Sequence, residues 1–143
     1  MSLSAVVYRN RKSLGIDAEA EGAKKDPTTG EYYFDSPQRA FPKDFFIATD
    51  WQIGNVSSVA ELRLELETLT GKKDLLIIEK CLYSGSHSGD LIELELLTPI
   101  ETETLEILHR FRGSVPAGVE KFLSAMLDTI QVARRENNPI VFV

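Results

Sequence analysis

The chain has little cysteine and histidine, and it has fewer basic than acidic residues. Its 143 residues include one cysteine and two histidines, and 16 lysines and arginines stand against 22 aspartates and glutamates, giving a net charge of −6. The single cysteine, Cys81, excludes an internal disulfide framework and is typical of a reducing compartment. The negative charge argues against non-specific affinity for nucleic acid or for an anionic membrane surface.

Long apolar runs are also missing. No run approaches the ~20 residues that a membrane-spanning helix needs, and the first residues lack the basic and then apolar pattern of a signal peptide. The sequence therefore predicts a cytoplasmic protein without a membrane segment. The content of 43% hydrophobic and 27% charged residues is ordinary for a globular protein. The length fits one domain over residues 1–143.

Motifs for metals and cofactors are absent from the sequence. His87 and His109 are 22 positions apart, and together with Cys81 they match no zinc-ligand spacing. No calcium loop is present, and neither glycine-rich phosphate-binding pattern occurs. We therefore expect no metal and no cofactor.

The apolar pattern predicts an α+β fold, with a small mixed or antiparallel sheet of about four strands packed with three amphipathic helices. The predicted strands are residues 5–8, 75–82, the start of 91–96, and 140–143. The predicted helices begin at Ser58 with a capping box to Glu61, at Thr98 as the cap before Pro99, and near Pro116. The helix from Pro116 has the clearest apolar stripe, which includes Val119, Phe122, Met126 and Ile130.

Two segments allow more than one interpretation. Residues 45–48 are too few for their periodicity to separate strand from helix. Residues 61–67 alternate as a half-buried strand would, but leucine and glutamate favour a helix and no residue there is β-branched. The helix is the preferred interpretation.

A long polar excursion is predicted at about residues 10–44. Its Asp26-Pro27-Thr28-Thr29-Gly30 is a turn sequence, because proline presets φ and glycine accepts a left-handed conformation. The aromatic residues 32–34 are expected to dock on the body of the domain, so the excursion is not a domain boundary.

The loop of residues 83–90 has the densest group of potentially functional side chains in the sequence. Its sequence, Tyr-Ser-Gly-Ser-His-Ser-Gly-Asp, exceeds what a hairpin turn needs. The neighbouring serines and Asp90 could orient the His87 ring or accept its proton. Alternatively, these polar groups satisfy the backbone of the loop itself. The predicted binding residues are Tyr83, Ser84, Ser86, His87, Ser88 and Asp90, with Trp51.

Two further features bear on a partner. Trp51 is either an interface anchor or a lid over the core. Residues 90–106 contain six acidic residues and no basic one, which indicates either a patch for a cationic partner or a solvated face.

Several segments resemble a family of small uncharacterised bacterial proteins. They are residues 26–34, Gly54-Asn55-Val56, the loop with its preceding Leu82, and 138–143, and the Tyr-Ser-Gly-Ser-His-Ser-Gly-Asp string is the distinctive part. The family implies no biochemical activity. More loosely, the layout is similar to that of immunity proteins of bacterial toxin systems, which are small and acidic and block a toxin domain by binding it.

Three functional hypotheses follow. The first is a non-enzymatic interaction protein, of the immunity type, that binds a basic toxin or another protein partner. The second is a small-ligand or enzymatic site on the 83–90 loop, with His87 as the acid–base group and Asp90 orienting it. The third is a homo-oligomer in which apolar strand edges pair.

Overall fold

A four-stranded antiparallel sheet organises the chain, whose computed structural model describes residues 2–36 and 41–143. Residues 37–40 of the predicted excursion lie outside the described residues. The strands are β1 (Ser2–Tyr8), β4 (Ile47–Asn55), β5 (Leu91–Ile92) and β6 (Ile140–Phe142), in the order β4-β1-β6-β5. Together with the helices, this sheet confirms the predicted α+β class.

Three long helices pack with this sheet. They are α2 (Val56–Thr70), α3 (Leu97–Arg110) and α4 (Ala117–Glu136). The predicted stripe of α4 is buried, and the helix packs against β1, β4 and β6. Helices α2 and α3 in turn pack on α4. None of the helices among residues 2–36 and 41–143 is long and apolar enough to cross a membrane.

The excursion forms a small structure of its own. It contains α1 (Arg11–Leu14) and a two-stranded sheet of β2 (Lys24–Lys25) with β3 (Tyr32–Tyr33). Its apolar side chains, including Leu14 and Tyr32, pack with Phe46 in a cluster separate from the main core. The excursion is attached to the body at Glu136, which accepts hydrogen bonds from Ser13 Oγ and from the Asn10 backbone N–H.

The predicted strand at residues 75–82 is wrong, because this segment is helical. Residues 76–82 form a short helix, and Ile78–Leu82 of it is a π-helical turn. Its amino end is capped from another helix, since the Glu103 carboxylate accepts hydrogen bonds from the backbone N–H groups of Leu76 and Ile77 at 2.9 and 2.8 Å. That tertiary cap satisfies helix donors which the local sequence leaves open.

Helix starts also differ from prediction. Helix α2 is capped by Asn55, whose Oδ1 accepts from the Ser58 N–H at 2.8 Å, so the Ser58 capping box is wrong. Helix α3 begins at Leu97 after a 3₁₀ turn, and Thr98 Oγ1 accepts from Arg134 instead of capping the helix. Residues 45–48, left open by the sequence, end a 3₁₀ turn (Lys43–Phe46) and begin β4. The 61–67 segment is helical, as preferred.

Candidate functional site

The 83–90 loop connects the helical segment 76–82 to β5 and is fastened to the end of β6. The Gly89 N–H donates to the Phe142 carbonyl at 2.8 Å, and the Phe142 N–H donates to the Asp90 carbonyl at 2.9 Å. Within the loop, the Asp90 N–H donates to the His87 carbonyl at 3.1 Å and closes a turn. Gly89 has a φ of +97°, a conformation that favours glycine. The carboxyl end of this turn is therefore held by the sheet.

Helix α2 supports the other side of the loop. Arg63 of α2 donates a hydrogen bond from Nη1 to the Tyr83 carbonyl at 2.8 Å. Gly85 is buried against Val56, the first residue of the same helix. The loop thus lies between the end of the sheet and α2, and its conformation depends on both.

The His87 side chain is directed into the protein. It is only 2% exposed. Its Nε2 lies 2.8 Å from the Cys81 carbonyl oxygen, and its ring packs edge-on to Phe142 with the ring centroids 4.6 Å apart. Tyr83 covers the other side of the imidazole at a centroid distance of 4.6 Å. His87 is therefore a buried support of the loop.

The second nitrogen of His87 faces a carboxylate. Because a carbonyl oxygen only accepts, the hydrogen bond to Cys81 places the proton of the neutral ring on Nε2 and leaves a lone pair on Nδ1. Nδ1 is buried, has no hydrogen-bond partner among the described residues, and lies 3.7 Å from Asp90 Oδ2. The Tyr83 hydroxyl donates to that same Asp90 oxygen. Two acceptors consequently face each other beneath Tyr83.

The outer surface of the loop is polar and aromatic. Tyr83, Ser86, Ser88 and Asp90 are all exposed. The hydroxyls of Ser84 and Ser86 are 3.0 Å apart and hydrogen-bond to each other, and Ser84 Oγ also accepts from the Ser86 N–H. Ser84 thus serves the loop itself, while the other side chains can contact a partner.

The predicted site residue Trp51 lies elsewhere. It is on β4, at the opposite edge of the sheet from β5, and its Nε1 donates to Thr129 Oγ1 of α4 at 2.7 Å. Its ring packs against Phe122 with the centroids 5.9 Å apart. Half-buried, it lines an open groove of about 430 Å³ between β4, α2 and α4. Its contacts are those of a residue that covers the core.

The acidic stretch at residues 90–106 divides into bound and free carboxylates. Glu101 forms an ion pair with Arg134 at 2.7 Å, and this hydrogen-bonded guanidinium lowers the pKa of Glu101. Glu103 caps the helical segment 76–82. In contrast, Glu93 and Glu95 are exposed, and the hydrogen bond that Glu93 donates to Glu95 raises the pKa of Glu93. The stretch is not one patch, but its exposed acidic residues begin beside the loop.

Residues from outside the loop that shape this site were not predicted from the sequence. Arg63 and Phe142 are 20 and 59 positions from Tyr83, and no local pattern links them to the loop. Cys81 contributes its carbonyl oxygen, and its thiol is buried, which raises the pKa of the thiol. The described part of the chain contains no group of three histidine, cysteine, aspartate or glutamate residues able to hold a metal ion.

Comparison of the chain with protein families, with curated proteins and with solved structures finds no match.

Proposed function

We propose that this chain is a non-enzymatic protein-binding domain that recognises its partner with the 83–90 loop. The observation that supports this proposal is the division of the loop into an inner and an outer side. His87 is engaged below the loop, whereas Tyr83, Ser86, Ser88 and Asp90 are exposed above it. The Cys81 carbonyl and the Phe142 ring hold His87 in place, so its contacts are those of a support for the loop.

Rigidity of the loop supports a binding role. The loop is fastened to β6, to Arg63 and to the Cys81 carbonyl, so little conformational entropy remains to be lost when a partner binds. Exposed tyrosines are frequent energetic centres of interfaces because they combine a large apolar face with a polar hydroxyl. Tyr83 is 43% exposed and is the aromatic anchor of this surface.

The negative charge of the chain favours a basic partner. The chain has a net charge of −6, and the exposed Glu93 and Glu95 follow the exposed Asp90 closely in the sequence. Opposite charge accelerates encounter and selects against acidic partners. The resemblance to immunity proteins suggests a toxin domain as the partner, which this chain would block by binding.

A small-ligand or enzymatic site on the same loop is the alternative. The observation in its favour is the unpartnered His87 Nδ1 beside the Asp90 carboxylate. The enclosure of the ring by Tyr83 and Phe142 disfavours it. Detection of a reaction that is abolished in His87→Ala and retained in His109→Ala would establish the alternative.

Oligomerisation through strand edges is less well supported. β4 is the long edge strand of the sheet, and in its pairing with β1 the register skips Ala48 and Ile53. Such bulges are one way in which proteins protect an edge from pairing with another chain. Light scattering on the purified chain tests whether it is a monomer.

The proposal is tested with four versions of the chain as bait. Each version is immobilised and exposed to a lysate of the encoding organism. The versions are the wild type, Tyr83→Ala, Asp90→Asn and the control Leu105→Ala. Leu105 is 50% exposed and lies on α3, outside the loop. A retained protein is then purified and titrated by calorimetry. We expect Tyr83→Ala and Asp90→Asn to weaken its binding roughly tenfold or more, or about 1.4 kcal/mol, with Leu105→Ala unchanged. Equal affinity for all four versions would contradict the proposal.

A further inference from the structure

We propose that the loop accepts an arginine side chain of the partner between His87 Nδ1 and the Asp90 carboxylate. This inference rests on the proposed function and names the chemical group that the loop recognises. The first observation is the pair of acceptors, His87 Nδ1 and Asp90 Oδ2, which are 3.7 Å apart. A ligand that satisfies both must carry at least two donors.

The second observation is that one of these acceptors has no partner in the folded chain. The Nδ1 of His87 is buried without a hydrogen bond among the described residues. Leaving a buried polar atom without a hydrogen bond destabilises the folded state, so native proteins rarely contain such atoms. The Cys81 carbonyl holds the opposite ring nitrogen and keeps the Nδ1 lone pair directed at Asp90. The Nδ1 atom is thus oriented to accept a hydrogen bond from a donor that approaches beside Asp90.

Tyr83 covers the space between His87 Nδ1 and the Asp90 carboxylate. Its ring lies against the imidazole, and its hydroxyl donates to Asp90 Oδ2. The side chain is also 43% exposed, so it borders solvent, toward which an incoming group can displace it. When the hydroxyl leaves Asp90, the carboxylate oxygen and the neighbouring Nδ1 become available to the same incoming group.

Guanidinium fits this position better than ammonium. It presents five N–H donors in one plane, has no acceptor, and is more weakly hydrated than the lysine ammonium. Its planar face also stacks on an aromatic ring, which the displaced Tyr83 provides. Arginine therefore uses every element of the site: the carboxylate, the lone pair and the aromatic face.

The test uses a capped Gly-Arg-Gly peptide as the probe, followed by nuclear magnetic resonance on the full chain. The matched control is the same peptide with citrulline, which keeps the shape of arginine and removes its charge. A Gly-Lys-Gly peptide tests the choice of guanidinium. We expect the arginine peptide to shift the amide signals of residues 83–90 and the Nδ1 signal of His87, and to bind more tightly than the other two.

Variants of the chain make the assignment specific. Asp90→Asn is expected to weaken binding of the arginine peptide roughly tenfold, as loss of a charge-assisted hydrogen bond does, whereas Glu106→Gln, at an exposed carboxylate of α3, leaves it unchanged. Tyr83→Phe removes the hydroxyl that occupies Asp90 and retains the aromatic face, so this variant should bind the peptide severalfold more tightly. General attraction of a cation to an acidic surface does not predict that gain.

The results separate this inference from the proposed function. Equal binding of the arginine and citrulline peptides, equal binding of the lysine peptide, or weaker binding by Tyr83→Phe would overturn the arginine site. If the partner still depended on Tyr83 and Asp90 in the bait experiment, the protein-binding function would stand and only the arginine site would be lost. If the partner were indifferent to the loop, both would fail.

Discussion

Gly85 lies so close to Val56 that a β-carbon added to the glycine would come within 2.5 Å of the Val56 Cα. This is a contact between the loop and the backbone of the first turn of α2. Backbone atoms cannot move aside as the end of a flexible side chain can, so the approach requires glycine. The loop and the start of α2 consequently form one structural unit, even though 29 positions separate them in the sequence.

Replacing Gly85 with alanine should separate the loop from α2. The added methyl group overlaps the Val56 backbone, and overpacking of this kind typically costs about 1–3 kcal/mol. We expect a lower melting temperature and shifted amide signals across residues 83–90. The control is Gly118→Ala in α4, where the new β-carbon meets only Leu62 Cδ2 at 4.0 Å and the helix gains a better helix former. A Gly85→Ala chain with wild-type stability and an unshifted loop would show that the two backbones are not in contact.

His87→Ala should destabilise the protein. The substitution removes the hydrogen bond to the Cys81 carbonyl, worth about 1 kcal/mol, and leaves a cavity between Tyr83 and Phe142. We expect a loss of about 1–3 kcal/mol in the free energy of unfolding, measured by urea denaturation. His109→Ala, at an exposed position near the end of α3, should have no measurable effect. Equal stability of the two variants would mean that the His87 ring is not a structural support.

Glu136 attaches the excursion to the body of the protein, and its removal should release it. The side chain is 1% exposed and accepts hydrogen bonds from Ser13 Oγ and the Asn10 N–H. Glu136→Ala leaves both donors without this acceptor, for which we expect a loss of about 2–3 kcal/mol. Trypsin should then cleave at Arg11 and Lys12 faster than in the wild type. Glu120→Ala, exposed on the same helix, is the control, and cleavage at the same rate in all three proteins would refute the attachment.

The accuracy of the sequence-based predictions depended on how local each signal was. The long helix α4 was predicted correctly because its buried stripe, from Val119 to Ala133, is contained within the helix itself. The strand at 140–142 was likewise predicted from a short apolar run. In contrast, the helical segment 76–82 depends on Glu103, 26 positions beyond Ile77, and its apolar run alone resembled a strand.

Prediction of the candidate loop was limited in the same way, because the orientation of its side chains depends on residues outside it. Its residues were identified from composition, because glycines, serines, His87 and Asp90 stand together in eight positions. Which of them face inward could not be predicted, since the orientation of His87 is decided by the Cys81 carbonyl and the Phe142 ring. Trp51 was grouped with the loop on residue type alone, and its actual contact is Thr129 of α4.

Tyr8 should make the protein sensitive to alkaline pH. Burial is the main cause that raises the pKa of Tyr8 from 10.0 to about 12, and the charges of Glu31, Asp50 and Asp26 add to it. The folded state therefore retains a proton that the unfolded state releases. The resulting contribution to stability is fully present below pH 10 and is lost as the pH rises from about 10 to about 12.

The measurement compares the wild type with Tyr8→Phe by urea denaturation at several pH values from neutral to alkaline. Across that pH window the unfolding free energy of the wild type should fall more than that of Tyr8→Phe, because phenylalanine has no proton to lose. Tyr33→Phe, at a tyrosine that is 42% exposed, should follow the wild type. Parallel curves for wild type and Tyr8→Phe would show that Tyr8 ionises equally well in the folded and unfolded states.

Met126→Asp should be the most destabilising of these changes. Met126 is fully buried on α4 within the main core, in a cluster that also contains Val7 and Phe142. An aspartate there has no basic partner, so it either remains charged at a cost of several kcal/mol or takes up a proton and still leaves a cavity. We expect the variant to be unfolded or to melt far below the wild type by circular dichroism. Ser124→Asp places the same side chain at an exposed position on the same helix, and it should melt near the wild type. If the two variants melted alike, the face of α4 that contains Met126 would have to be turned away from the sheet.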